Sequence, residues 1–322
     1  MRRALLFAAL AGAAASAATS ASAQYPSRAV TLVVGFAPGG GTDTVARVVQ
    51  RPLGERLGQQ VVVDNKPGAG GNIATNMVAK SAPDGLTVML ANVGSLTVAP
   101  HLQKDLPYDP MKDLAPVSMG VIFPNLVVVH SSVPANTLAE FIKLAKDNPG
   151  KYTYGSSGIG GAGHLAGELL KMMAKIDLVH VPFKGGGPAM QAMLGGQIHA
   201  YMATPVAANP HVKAGKAKAL AVTGPERDPL SPGVPTVAES GYPGYQATNW
   251  YAFVVPAKTP QDIVQRLNRE IVATLKDPKV IGLLRNQGVE PQPGTPAELA
   301  AFMKSELETW GRVVREAGIK VE

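Results

Sequence analysis

The sequence predicts an α/β protein built as two lobes with a ligand cleft between them. Short apolar runs of strand length recur along the chain, each followed by glycine or proline and then by a helical period. Three of these strand-to-helix junctions are unusually rich in glycine. From Pro260 onward the pattern changes to nearly continuous helix, as expected of a tail packing on a lobe already formed.

The strands read AVTLVVGF (29–36), VVVDN (61–65), LTVMLAN (86–92), NLVVVH (125–130), YTYGS (152–156), LVHVPF (178–183) and ALAVT (219–223), the apolar texture of buried parallel sheets. After Thr42, residues Val45, Val48, Val49, Leu53 and Leu57 share one helical face, with Pro52 as a kink. Thr137 and Glu140 make a capping box ahead of Leu138, Phe141, Ile142 and Ala145. Further helices are expected over 164–175 and over 188–194, the latter opened by Pro188. The tail reads as helices over 261–275, 278–286 and 296–317, with prolines near their starts. NWYAFVVPA (249–257) is a strand returning to the first lobe, so residues 24–124 with 247–322 form one lobe and 125–246 the other.

Arg2 and Arg3, an apolar stretch from Ala4 to about Ala18, and Ala21-Ser22-Ala23 before Gln24 have the form of a secretory signal cut after Ala23. Its core falls short of the roughly 20 apolar residues a membrane anchor needs. The chain has no cysteine, which removes acylation, disulfides, thiolate catalysis and the usual zinc frameworks together. Losing Arg2 and Arg3 leaves 28 basic against 23 acidic residues, a net charge of +5. That excess is scattered and has no interleaved aromatics, so nucleic acid is a poor partner and a small anion a better one.

The glycine-rich junctions are FAPGGGTD (36–43), NKPGAGGN (65–72) and GSSGIGGAGH (155–164). Glycine lets the backbone approach a ligand closely, and the following helix points unpaired N–H groups and a positive dipole end at it. In open α/β sheets such loops stand beyond the carboxyl ends of the strands, where ligands bind. Pro38, Gly39, Gly40, Gly41 and Thr42 of the first lobe and Ser156, Ser157, Gly158, Gly160 and Gly161 of the second are therefore candidate carboxylate-binding residues. Asp43 is grouped with them, though a carboxylate there would sooner fix the loop than meet an anion. Asn92 and Ser95 are expected to face the same cleft, and His164, Trp250 and Tyr251 either line it or belong to the core.

GIGGAG (158–163) satisfies the dinucleotide fingerprint, but LVHVPFKGGG offers Lys184 where the ribose-binding acid should follow. No G-x-S-x-G, S-x-x-K or H-E-x-x-H is present, and KGGGP (184–188) lacks the G-K-[ST] ending of a phosphate loop. An enzyme is not expected, nor a cofactor, nor a metal.

The ordered set from YPSRAVTLVVGFAPGGGTD through VVVDNKPGAGGNIA, SAPDGLTVML, VPFKGGGPAMQAMLGGQ, KALAVTGPERDPLSPGVPTVAESGYPGY and NWYAFVVPAKTP resembles the TctC or Bug-type receptors of tripartite tricarboxylate transporters, over almost the whole exported chain. The resemblance implies a periplasmic-binding-protein fold of type II character that closes on a carboxylate, works in the periplasm as a monomer, and delivers its ligand to one large and one small membrane subunit. A sensory role would need the same cleft. In the family, backbone amides and waters of the two loops hold the ligand, here Pro38–Asp43 and Ser156–Gly161, and the first-loop Asp matches Asp43. Where the family commonly has two acids after LGGQ, this chain has His199 and Ala203. An acid missing from the cleft at Ala203 would disfavour ligands with an amino group and leave room for an aromatic one.

Overall fold

A computed structural model describes residues 25–316. The expected signal segment and the last residue of the expected final helix lie outside them. The chain builds two mixed sheets with helices on their faces.

The first sheet takes β1 (Val30–Val34), β2 (Val61–Asn65), β3 (Thr87–Asn92), β4 (Leu114–Pro124), β10 (Thr248–Pro256) and β11 (Glu290–Pro291), in the order β11-β4-β10-β3-β1-β2. The second takes β5 (Leu126–His130), β6 (Thr153–Ser156), β7 (Val179–Pro182), β8 (Ala200–Ala203) and β9 (Ala217–Val222), in the order β7-β6-β8-β5-β9. Apart from β11 the two orders are the same: in each sheet a first strand sits between its second and third, and one reversed strand separates the third from the fourth. That strand is β10 in the first sheet, antiparallel to β3 and β4, and β5 in the second, antiparallel to β8 and β9. The expectation of purely parallel sheets is corrected here, for a simple geometric reason. Both reversed strands are fed by crossings between the sheets, β4 passing into β5 through Asn125 alone, and a strand entering from the other lobe runs against its neighbours.

Ten helices complete the described fold. They are α1 (Gly41–Leu57), α2 (Asn72–Ala79), α3 (Ala99–Leu102), α4 (Leu138–Asp147), α5 (Ala162–Ala174), α6 (Gly186–Leu194), α7 (Pro205–Lys213), α8 (Gln261–Leu275), α9 (Pro278–Arg285) and α10 (Pro296–Glu316), with short 3-10 and π turns at Ala69–Gly71 and Gly94–Val98. Helix α1 carries Pro52 inside it and ends at Gly58 in the left-handed region, a conformation that favours glycine. Thr137 Oγ1 accepts from Glu140 N–H, while Glu140 Oε2 takes the N–H of Asn136, one residue earlier than an ideal capping box.

Strand β10 shows how the sequence divides its faces. Trp250, Ala252 and Val254 enter one core with Leu299, Met303 and Trp310 of α10, while Tyr251, Phe253 and Val255 enter another with α1 and α8. Trp250 Nε1 and Trp310 Nε1 donate to the same Glu306 Oε2, at 2.8 and 3.1 Å, and this shared carboxylate pins α10 to the first sheet. The crossings themselves are knit by Thr223, whose Oγ1 accepts from Asn125 N–H and donates to Ala247 O.

Candidate functional site

Between the two sheets lies a small, nearly closed cavity of about 20 Å³. Its first-lobe wall is Phe36, Gly40, Gly41, Thr42, Asn92, Asn249 and Tyr251, and its second-lobe wall is Ser157, Ala162, Gly186 and Thr204. The lobes meet closely around it. A Cβ placed on Gly41 would stand 2.9 Å from Thr204 Oγ1 and 3.0 Å from Tyr251 OH, and one on Gly40 would stand 3.2 Å from Gly186 N. Ala37 N–H donates across the cleft to Lys184 O at 3.0 Å.

Four helices begin at this cavity. Gly40 precedes α1, Gly161 precedes α5, Gly185 precedes α6 and Thr204 precedes α7, and none of the four starts is capped by a side chain. Of the helices that start elsewhere, α4 and α9 are capped by Thr137 and Asp277, while α2, α3 and α8 have no side-chain cap but do not converge on a common point. Uncapped N-termini carry orphan N–H groups and the positive end of the helix dipole. Three buried side-chain atoms in the same lining, Asn92 Oδ1, Asn249 Oδ1 and Thr204 Oγ1, have no hydrogen-bond partner. No lining residue is charged. The arrangement suits an uncharged, donor-rich cradle for an anion.

The first loop is held from outside by Asp43. Its carboxylate accepts from Gly39 N–H (3.0 Å), Arg47 Nε (2.9 Å) and Asn65 Nδ2 (3.0 Å), and Asn65 Nδ2 also reaches Phe36 O. Burial by itself would raise the Asp43 carboxyl, but the hydrogen bonds from Arg47, Gly39 and Asn65 outweigh it and hold it below its ordinary value. Tyr251 is fully enclosed, and burial keeps its phenol neutral well above the usual range.

Of the residues expected at the site, Gly40, Gly41, Thr42, Asn92, Ser157 and Tyr251 come together in the lining. Pro38, Gly39 and Asp43 shape the first loop from behind. Ser156, Gly158, Gly160 and Gly161 belong to the second loop without lining the cavity, and His164 stands behind it. Ser95 is fully buried, its hydroxyl turned to Asn92 O. Trp250 points away, because neighbouring residues of a strand face opposite sides and Tyr251 takes the cavity side. Ala203 packs into an apolar cluster with Leu126 and Tyr201, and the next residue, Thr204, reaches the cavity instead. His199 is also elsewhere, bonded through Nδ1 to Thr153. The NKPGAGGN loop does not line the cavity. Gly70 lies against Gly158 and Ile159 of the opposite lobe, where any Cβ on Gly70 would strike the Ile159 carbonyl.

Sequence reasoning missed Phe36, Ala162, Gly186, Thr204 and Asn249. KGGGP was a fourth glycine-rich strand-to-helix junction, Thr204 before Pro205 has the form of a helix start, and Asn249 shares a strand face with Tyr251. A larger and more open groove lies at the crossings, between Ile122–Pro124, Gly224–Leu230 and Arg285–Glu290. No helix start converges on it, and its two arginines are already paired, Arg227 with Glu239 and Arg285 with Glu290.

The family model for the tripartite tricarboxylate transporter family receptor, TctC, matches residues 45–319. The chain belongs to this receptor family. Protein BugT of Bordetella pertussis is 37% identical over 299 residues, covering 92% of each chain. An R. palustris protein with adipate is 36% identical with a TM-score of 0.89, covering 92% of this chain and 99% of that one. MatC from Rhodopseudomonas palustris with bound malate is 36% identical with a TM-score of 0.86, covering 90% of this chain and 100% of that one. The fold of this TctC receptor is therefore the two-lobed periplasmic-binding-protein fold, and its family is one of periplasmic solute-binding proteins.

Proposed function

We propose that this receptor captures a small di- or tricarboxylate in the interlobe cavity, in the periplasm after cleavage behind Ala23, and hands it to the membrane subunits of a tripartite tricarboxylate-type transporter without chemical change. The observation that carries the reading is the convergence of four uncapped helix starts and three unpartnered buried polar atoms on one cavity without a charged side chain. Amides of both lobes would hold carboxylate oxygens, and the two asparagine oxygens would accept from a ligand hydroxyl. No acid stands ready for an ammonium group.

The lobes in this reading are residues 24–124 with 247–322, and residues 125–246. Ligand bridging them binds the closed state better than the open one, and closure follows from that difference alone. Four or five charge-assisted hydrogen bonds at about 1.5 to 3 kcal/mol each, less the costs of association, support an affinity near micromolar, about 8 kcal/mol. Malate and adipate, bound by the two R. palustris relatives, set the size to test first.

A thermal-shift panel of malate, citrate, succinate, adipate, benzoate and glutamate tests the reading, because ligand binding to the native state raises Tm. At least one dicarboxylate should raise Tm while glutamate does not. Absence of any shift, or a shift with glutamate alone, refutes it. Uptake of the labelled ligand should be lost on gene deletion; intact uptake with lost gene induction would make the protein a sensor.

A further inference from the structure

Behind the second-lobe loop, three aromatic rings form a column. Strands β6 and β7 run parallel with Tyr154 opposite His180. The Tyr154 ring stacks on His180 at 4.8 Å, and His180 stacks on His164 at 4.2 Å, with interplanar angles of 29° and 28°. Both imidazoles touch the loop. Ser156 Oγ lies 2.7 Å from His180 Nε2 and accepts from Gly158 N–H, and Gly160 N–H donates to His164 Nδ1 at 3.2 Å.

The loop needs such support. Gly158 and Gly160 both have positive φ, +145° and +76°, and before and after them Ser157 and Ala162 must reach the cavity. We propose that His164 is a positioning residue for this loop: its unprotonated Nδ1 holds the Gly160 amide, so uptake of a proton there releases the loop and weakens ligand binding. The loop half of this inference stands on the contacts above; the ligand half rests on the carboxylate reading.

The chemistry follows from one atom. Protonated Nδ1 is a donor, and it would face another donor, the Gly160 N–H. It would also place a cation against His180. The other groups around the column are Tyr154 from β6, Glu168 and Lys171 on α5, and Tyr245 from the segment before β10, whose hydroxyl donates to Ala166 O. Glu168 Oε1 already accepts from Tyr154 OH (2.6 Å) and Lys171 Nζ (2.9 Å), so its charge is engaged. Burial holds His164, only 5% exposed, below its ordinary value, so the site is neutral at pH 7 and titrates on acidification below 6.5.

The test compares the native protein with His164→Asn, whose Oδ1 keeps an acceptor near the Nδ1 position but does not titrate, and His164→Phe, which keeps a ring without the acceptor. Amide exchange at Gly160 is measured without ligand from pH 7.5 to 4.5, corrected for the intrinsic pH dependence of exchange. Protection should fall at least tenfold in the native protein as His164 titrates, stay level in His164→Asn, and be low at every pH in His164→Phe. Equal pH dependence in native protein and His164→Asn, or full protection in His164→Phe, overturns the inference. If either histidine variant fails to fold, NMR titration of His164 in the native protein decides: its midpoint must coincide with loss of Gly160 protection, and separate midpoints overturn it. Calorimetry with malate and adipate on the same samples is read separately. Affinity should drop with acid in the native protein more steeply than in His164→Asn, whereas no binding of any carboxylate at pH 7.5 refutes the functional reading and leaves the exchange result standing.

Discussion

The two loops that face each other across the cavity are braced by opposite chemistry. The first is tied by an ionised carboxylate, Asp43, which gathers Gly39, Asn65 and Arg47. The second is tied by neutral groups, with Ser156 beside His180 and Gly160 on His164. A brace that must be charged and a brace that must be uncharged fail under different conditions. Asp43 has its folded pKa held down, so its contribution is complete above the unfolded value of 3.8 and is lost only as pH falls through a lower folded value. His164 and His180 also have lowered folded values, His180 about 3, through burial first. For them the unfolded chain gains protons that the folded chain refuses, so stability falls as soon as pH drops below 6.5.

The largest effect that would sharpen this contrast is Asp43→Ala. It removes a buried carboxylate together with its charge-assisted hydrogen bonds to Arg47, Gly39 N–H and Asn65, and should lower stability by about 3 kcal/mol, or Tm by roughly 6 to 12 °C. Thermal melts across pH should show that loss at pH 7, shrinking only below 3.8, with the decline that begins at 6.5 unchanged. A variant whose decline below 6.5 also vanished would break the comparison. Next comes Gly41→Val, which thrusts a branched side chain toward Thr204 and Tyr251. Calorimetry should find carboxylate affinity reduced by about a hundredfold, roughly 2.7 kcal/mol, with native circular dichroism retained. The smallest is Thr204→Val, which removes an unpartnered hydroxyl at nearly constant shape. It should weaken ligand binding by about tenfold, near 1.4 kcal/mol, while the empty protein melts no lower than the native one. A lower Tm would mean the hydroxyl has a partner within the protein.

Much of this is legible in the amino-acid sequence. Glycine between an apolar run and a helical period marked both loops, and proline and the capping pattern marked α4, α6 and the tail helices. The antiparallel direction of β5 and β10 was not legible, because strand composition does not record which lobe a strand comes from. The missed strands β4 and β8 show a related weakness. LAPVSMGVIFP carries two prolines and a glycine yet is the long partner of β10, its pairing secured by Ala115–Phe123 across the sheet. Trp250 and Tyr251 could have been separated by strand alternation alone, since adjacent residues cannot both face one cavity. Gly70 shows the opposite error, in which a glycine suited to close backbone approach met the other lobe instead of a ligand.

The common carboxylate of Glu306 has a practical consequence for following this receptor in solution. Both tryptophans of the chain donate to it, buried between β10 and α10 and outside the cavity lining. Their emission is a gauge of whether the tail helix is seated, so an optical titration of the cleft calls for a dye attached near Ser157 or Thr204 instead.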